Sequence, residues 1–216
     1  GIWRFSRVIC YTFVCLFQAY TRFKRVDRKE KGRMLRYYPT QVLKLAGVRC
    51  SYEGNVPELL HECGLTDTPP AYMVLSNHIS WLDIFSLDSQ LPSRFIAKAE
   101  IAKWPVFGLI AQQIGTLFIN RSSKRAILRI NDDIRGALCN CEAVTIFAEG
   151  TTTFGNELLP IKANFIAPAC EIGATVQPVI LSYKNKGKPT KRAAFAGDVT
   201  LFGSLWNVVT MEDAEV

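Results

Sequence analysis

The sequence predicts an α/β fold, with a mainly parallel sheet flanked by helices and preceded by an N-terminal membrane-associated helical segment. Strand-length apolar runs alternate with helix-length segments along most of the 216 residues. The apolar runs are continuous rather than alternating with polar residues, which is typical of strands covered on both faces. Charge separates the two parts of the chain. Through Lys44 there are eleven Lys and Arg against two acidic residues, and the remainder has fifteen against seventeen.

The predicted organisation is a two-helix anchor in residues 1–46 and one α/β domain in residues 47–216. The predicted strands are 48–52, 71–75, 94–97, 116–119, 143–147, 175–182 and 192–195. The predicted helices between them are 81–90, 101–113, 124–139 and 163–172. Residues 184–191, which contain Gly and Pro, predict a solvated turn. Ligands bind beyond the carboxyl ends of the strands in such sheets, so polar residues that directly follow strands are the candidate functional residues.

The N-terminal segment predicts a membrane anchor on the cytoplasmic face of a bacterial inner membrane or an equivalent one. Residues 2–20 are rich in large apolar side chains, and a basic cluster follows in residues 22–36. The uncharged run 8–21 is shorter than the ~20 residues that cross a bilayer, although snorkelling by Arg4 and Arg7 leaves a tilted span open. A helix lying in one leaflet, held by anionic head groups, fits better. A second helix is predicted at about 32–45, perturbed near Pro39.

Two other interpretations of this segment stay open, an amphipathic helix packed on the domain and a secretory signal. No small-residue cleavage site follows Tyr20, which argues against the signal. The concentration of basic residues at one end also argues against nucleic acid as a partner. Seven cysteines without metal-site spacing predict buried, reduced thiols and no metal.

His78 and Asp83 are the candidate catalytic pair. A carboxylate bonded to one ring nitrogen fixes the histidine tautomer and leaves the other nitrogen free to take a proton from a hydroxyl. Five residues apart on one continuous helix, the two side chains would point about 140° apart. We therefore expect His78 in a turn and Asp83 in the first turn of a helix that begins near Ser80. Alone, the pair also fits a structural histidine.

Three further segments follow in order. Residues 115–121 are an apolar strand ending in Arg121, residues 144–151 end in Glu149-Gly150-Thr151, and residues 176–180 contain a proline. Together with the His78 segment they resemble the four motifs of the glycerolipid acyltransferase family, whose best-known members are lysophosphatidic acid acyltransferases. The resemblance runs from about Tyr72 to Leu181.

The resemblance implies a role for each residue. His78 would deprotonate the free hydroxyl of 1-acylglycerol-3-phosphate, and Asp83 would orient the imidazole. The hydroxyl would attack the thioester of acyl-CoA or acyl-ACP directly, giving phosphatidic acid with no bound cofactor. Arg121 would hold the anionic head group of the lysolipid acceptor. The acceptor site would be shaped by Glu149, Gly150 and Thr151.

One position departs from the family pattern. Thr152 stands where the commonest third motif has an arginine. Lys162 is the candidate substitute for the missing positive charge, and Lys98 and Lys103 are others. The departure leaves another acceptor open, such as a lyso-ornithine lipid or a lysophospholipid.

Two functions of other classes are weaker. A serine hydrolase would need a nucleophile, and Ser76, Ser80 and Ser86 lie near His78 but not in a Gly-x-Ser-x-Gly elbow. A non-catalytic membrane-binding module would explain the basic anchor but not the polar residues at strand ends. The sequence leaves the acyl carrier, the acyl chain length and the oligomeric state undetermined.

Overall fold

The computed structural model describes residues 1–54, 71–120 and 124–216. The predicted α/β class is confirmed. The strands are β1 Val48–Arg49, β2 Tyr72–Ser76, β3 Arg94–Lys98, β4 Leu117–Ile119, β5 Val144–Phe147, β6 Thr175–Val179, β7 Lys184–Asn185, β8 Lys188–Pro189 and β9 Ala214–Glu215. The helices are α1 Ile2–Gln18, α2 Arg28–Ala46, α3 Leu82–Gln90, α4 Phe107–Gln113, α5 Lys124–Cys139, α6 Ala167–Glu171 and α7 Leu201–Val209. A π-helical segment, Ala19–Phe23, continues α1, and 3₁₀ turns occupy Ala99–Lys103 and Ala163–Phe165.

The main sheet has five strands in the order β4-β3-β5-β2-β6, and every neighbouring pair is parallel. The carboxyl ends of its strands therefore meet along one edge. Ser76, the last residue of β2, lies opposite Phe147, the last residue of β5. The loops after these two strands begin side by side, which brings the predicted site segments together.

Burial on both faces explains the continuous apolar character of β2. Met73 faces one core cluster, which contains Ile134 and Leu138 of α5. Tyr72 and Val74 face a second cluster on the other side, which contains Leu87 of α3. Successive strand side chains point to opposite faces, so a strand covered twice has no solvent-facing positions.

A small second sheet, in the order β1-β9-β7-β8, was not predicted. Its strands are two residues long, too short for a periodic pattern. The predicted turn at 184–191 contains the antiparallel pair β7 and β8. The predicted strand 48–52 shortens to β1, and helix α7 was missed.

Two predicted strands differ for an identifiable reason. The strand predicted at 175–182 ends at Val179, because the amide of Leu181 donates to the Asn77 side chain instead of a ladder partner. The strand predicted at 192–195 is wrong. Its Phe195 amide donates to the carbonyl of Ile79, and Ala193 is buried without strand pairing.

The two N-terminal helices share a core with the rest of the chain. Val8 of α1 and Val42 of α2 belong to one buried cluster with Leu82 and Val208. Helix α2 begins earlier than predicted because the Asp27 carboxylate accepts the Glu30 amide at 2.8 Å and caps the helix. The predicted perturbation at Pro39 does not interrupt it.

Helix α1 also has an outward apolar face. Its exposed large side chains are Ile2, Trp3, Phe13, Val14 and Phe17. Within the described ranges, no helix is both long and apolar enough to cross a bilayer. The cysteines described there are free thiols, but Cys10, Cys139 and Cys170 are exposed, so the prediction of buried thiols is wrong for these three.

Candidate active site

His78 and Asp83 are in direct contact. Strand β2 ends at Ser76, His78 lies in the following loop, and Asp83 is the second residue of α3. His78 Nδ1 and Asp83 Oδ2 are 2.7 Å apart. The backbone amides of Ile79 and Ser80 donate to the same carboxylate oxygen at 2.7 and 2.9 Å. The loop and the first helical turn thus place the pair as the spacing predicts.

Tyr183 holds the other oxygen of the Asp83 carboxylate. Its hydroxyl donates to Asp83 Oδ1 at 2.6 Å, and its side chain is buried. Burial raises the pKa of Tyr183 well above its ordinary value of 10.0, and the nearby Asp83 charge adds to the effect. The phenol therefore remains a donor. Four hydrogen bonds fix a carboxylate that is 0% exposed.

The His78 ring is held on its face as well as at its edge. It stacks on Phe147, with centroids 3.8 Å apart and planes 8° apart. Its side chain remains 19% exposed. With Nδ1 engaged by Asp83, Nε2 is the ring nitrogen left for a ligand. This is the arrangement of an oriented general base.

Glu149 shapes the site through the backbone. Its Oε1 accepts the His78 amide at 3.0 Å, and its Oε2 accepts the Leu159 amide at 3.1 Å. The Thr153 amide donates to the His78 carbonyl at 2.8 Å. Both oxygens of the buried Glu149 carboxylate are occupied, so Glu149 holds the His78 loop instead of presenting a free carboxylate.

The other predicted binding residues differ in position. Gly150, Thr151 and Lys98 line a cavity that also contacts His78. Gly150 adopts φ +77°, which glycine reaches without strain, and its amide donates to Phe147 in a tight turn. Lys162 is exposed and does not line this cavity. Arg121 lies outside the described residues.

That cavity has a volume of about 360 Å³ and is mainly apolar. It extends from His78 between the N-terminal helices on one side and α3, β3 and α4 on the other. We refer to it as the apolar cavity. Its walls include Leu35, Val42, Ile84, Phe85, Ile96, Phe107 and Ile110. A cavity of this size and character suits an alkyl chain.

One wall of the apolar cavity contains a carboxyl group. Asp88, on α3, is 1% exposed and accepts the Ser93 amide at 3.0 Å. Burial raises the pKa of Asp88 well above its ordinary value of 3.8, which favours the neutral acid. Thr152 also lines the cavity, and its hydroxyl donates to the Phe195 carbonyl at 2.5 Å.

Comparison with known proteins decides the family. Residues 50–182 match the family described as Acyltransferase. The chain belongs to this acyltransferase family. The matched range contains every site residue predicted from the sequence, and Tyr183 lies one residue beyond it.

Named relatives in the acyltransferase family differ in their acceptors. The 1-acyl-sn-glycerol-3-phosphate acyltransferase of Neisseria gonorrhoeae is 44% identical over 67% of this chain and 56% of its own length. The lyso-ornithine lipid O-acyltransferase of Pseudomonas aeruginosa is 39% identical over 66% of this chain and 55% of its own. The chain thus spans little more than half the length of these two relatives.

A solved acyltransferase has the same fold. The crystal structure of the 1-acyl-sn-glycerophosphate acyltransferase of Thermotoga maritima superposes with a TM-score of 0.53 and 18% identity. The match covers 95% of this chain and 94% of the other. At this identity the match establishes the fold alone.

Among the described residues, no three His, Cys, Asp or Glu side chains group as metal ligands would. The reactive groups that the structure brings together at this edge of the sheet are His78 and Asp83. Sequence reasoning missed Tyr183 because it lies 100 residues from Asp83. It missed the clamping role of Glu149 because backbone amides carry no residue-specific signal.

Proposed function

We propose that this chain is a membrane-associated lysolipid O-acyltransferase that moves an acyl group from a thioester to a lipid hydroxyl. The observation that carries the proposal is the oriented His78–Asp83 pair, whose His78 lines the apolar cavity. A general base and an alkyl-chain site are the two features that direct acyl transfer needs. Membership of the acyltransferase family supports the same reaction class.

The proposed reaction uses the geometry of the pair. His78 Nε2 takes the proton of the acceptor hydroxyl while its oxygen attacks the thioester carbonyl carbon. The buried Asp83 carboxylate stabilises the imidazolium that forms. When the tetrahedral intermediate collapses, the carbon–sulfur bond breaks and the ester remains. The imidazolium returns its proton to the departing thiolate, so no covalent acyl-enzyme is required.

The acyl chain of the donor would occupy the apolar cavity. Each methylene that enters such an environment gains about 0.8 kcal/mol relative to water. The carbonyl end then lies beside His78, because the imidazole forms part of the same lining. Both acyl-CoA and acyl-ACP present the thioester required, and we propose one of them as the co-substrate.

For the acceptor we propose 1-acylglycerol-3-phosphate, with phosphatidic acid as the product. Lys98 supports an anionic acceptor because it lines the cavity that contacts His78. Arg121 and Lys162 remain proposed contacts to the head group. A lyso-ornithine lipid or another lysophospholipid is the second candidate. It is favoured by Thr152 in place of the family's arginine and by the names of several relatives.

The three serines near His78 that a serine hydrolase would use are inaccessible in the structure. Ser76, Ser80 and Ser86 are all buried. The Ser76 hydroxyl donates to the Asn77 carbonyl, and the Ser80 hydroxyl accepts the Leu82 amide at 3.4 Å. A hydroxyl nucleophile has to reach the substrate carbonyl and bond to its base. A purely structural membrane-binding module would not need the His78–Asp83 pair.

For the membrane we propose that α1 lies in the cytoplasmic leaflet. Its inward face buries Val8 and Thr12 against the domain, and its outward face exposes Phe13 and Phe17. The following basic cluster would bind anionic head groups. The helix would thus pack on the domain and contact the bilayer at the same time.

A transfer assay tests the proposed reaction. The purified protein is incubated with labelled acyl-CoA or acyl-ACP and a panel of lysolipids, and products are resolved by mass. We expect one acyl group to be added to a lysolipid hydroxyl, with 1-acylglycerol-3-phosphate the preferred acceptor. Preference for another lysolipid would correct the acceptor alone. Release of free fatty acid without any acylated lipid would contradict acyl transfer.

A further inference from the structure

A second cavity lies at the opposite edge of the main sheet from His78. Its volume is about 390 Å³. Its walls come from the α1–α2 connection, the amino ends of β3 and β5, and the segment before β4. We refer to it as the basic cavity. Phe23, Leu35 and Ile114 line both this cavity and the apolar cavity, so the two adjoin.

The lining of the basic cavity carries an excess of positive charge. Lys24, Arg28 and Lys31 line it, and within the described ranges none of the three forms an ion pair. Arg28 donates to the Asn140 carbonyl at 2.8 Å, and Lys31 lies 5.9 Å from the Phe23 ring centroid. Both contacts hold the side chains and leave their charge uncompensated.

Among the described residues, the acidic groups near the basic cavity already have partners. Glu142, which lines the cavity, pairs with Arg94 at 2.8 Å. Asp27 caps α2, and Glu30 pairs with Arg22 and Arg33 on the surface. Lys24, Arg28 and Lys31 therefore line a partly open space in which the described carboxylate, Glu142, is already paired with Arg94. Such a space favours an anion with several acceptor oxygens, above all a phosphate group.

The apolar residues of the basic cavity indicate what is attached to the phosphate group. Phe23, Leu35 and Pro92 offer surface for a glycerol backbone or an alkyl chain. The preceding turns of the N-terminal helix expose Phe17 and Tyr20 to solvent. We infer that the basic cavity binds the phosphate head group of an anionic phospholipid, at a site separate from the His78 edge of the sheet.

This site does not depend on acyl transfer, so equilibrium binding without acyl donor tests it separately from the proposed function. The probe is dihexanoyl-phosphatidylglycerol below its critical micelle concentration, with dihexanoyl-phosphatidylcholine as the zwitterionic match. Isothermal titration calorimetry is performed on the full chain and on Arg28→Glu and Lys31→Glu. Lys44→Glu is the control, because Lys44 is exposed near the other end of the same helix, outside the basic cluster, and does not line the cavity.

We expect phosphatidylglycerol to bind more tightly than phosphatidylcholine. Each charge reversal in the cavity should weaken phosphatidylglycerol binding about tenfold or more, and Lys44→Glu should change it less than about threefold. Equal effects of all three reversals would mean nonspecific surface attraction and would overturn the site. Equal binding of the two lipids would overturn the site too. Full displacement of phosphatidylglycerol by millimolar inorganic phosphate would overturn the assignment to a lipid, because the cavity would then recognise phosphate alone. Arg28→Gln and Lys31→Gln replace any reversal that fails to fold by circular dichroism.

Discussion

Removing the Tyr183 hydroxyl isolates the contribution of the carboxylate behind His78. Tyr183→Phe deletes the bond to Asp83 Oδ1 and leaves the three bonds to Oδ2 in place. The phenyl ring still fills its buried position, so packing changes little. The variant therefore removes one hydrogen bond that stabilises the Asp83 carboxylate, without removing any group that lines the apolar cavity.

The expected size of the effect follows from the bond that is lost. A hydrogen bond to a charged group contributes about 1.5–3 kcal/mol, and here a buried carboxylate oxygen is left unpaired. We expect the free energy of unfolding to fall by about that amount. Because Oδ2 still orients His78, acyl transfer should fall only on the order of tenfold, less than the 10²–10⁴-fold of a lost base.

A structural role alone would not change the pH dependence, so the pH–rate profile is the decisive assay. Without the phenol, the negative charge of Asp83 is less neutralised and stabilises the imidazolium more. The acidic limb of kcat/KM should therefore move to higher pH. Tyr52→Phe is the matched control, because the Tyr52 hydroxyl bonds the Ser89 hydroxyl at 2.8 Å and Ser89 lies on α3, the helix that carries Asp83. An unshifted profile with a rate within about twofold of wild type would refute the reasoning.

Four further predictions follow from the same structure. Asp83→Asn should lower acyl transfer at least about 100-fold by favouring the wrong His78 tautomer, and a residual rate above a tenth would argue against it. Burial raises the pKa of Asp88 in the folded state above its ordinary value of 3.8. At a pH between the unfolded and folded pKa, the folded state therefore holds a proton that the unfolded state has lost, and the free energy of unfolding falls as pH rises. Asp88→Asn should flatten that fall in urea titrations at several pH values, and parallel curves would contradict it. Phe13→Ala combined with Phe17→Ala should weaken co-sedimentation with anionic vesicles, and unchanged binding would remove α1 from the interface. Thr152→Arg should shift a competition assay toward 1-acylglycerol-3-phosphate, and an unchanged ratio with activity retained would show that position 152 does not read the head group.

The residues that the sequence could place are those whose partners are close along the chain. His78 and Asp83 meet because a strand end, a short loop and a helix start lie within eight residues, each with its own local signal. The main sheet was predictable for a related reason. A strand such as β2, buried on both faces, must be apolar at every position.

The features that sequence reasoning missed depend on distant or backbone contacts. Tyr183 reaches Asp83 from 100 residues away, and nothing in its neighbourhood marks it. Glu149 accepts two backbone amides, which any sequence supplies. Ala193 and Ala194 suggested a strand because they are apolar, but they fill a core cluster with no ladder partner. Burial alone does not distinguish a strand from a packed loop.

The central claim is that His78 acts as a general base for direct acyl transfer. The most direct measurement compares initial transfer rates of purified wild type and His78→Ala with the preferred lysolipid and acyl thioester, together with mass spectrometry of the protein during turnover. We predict a 10²–10⁴-fold lower rate for the variant, equal folding by circular dichroism, and no acylated protein in the wild type. A variant rate within about tenfold of wild type, or a stoichiometric acyl-enzyme, would contradict the account.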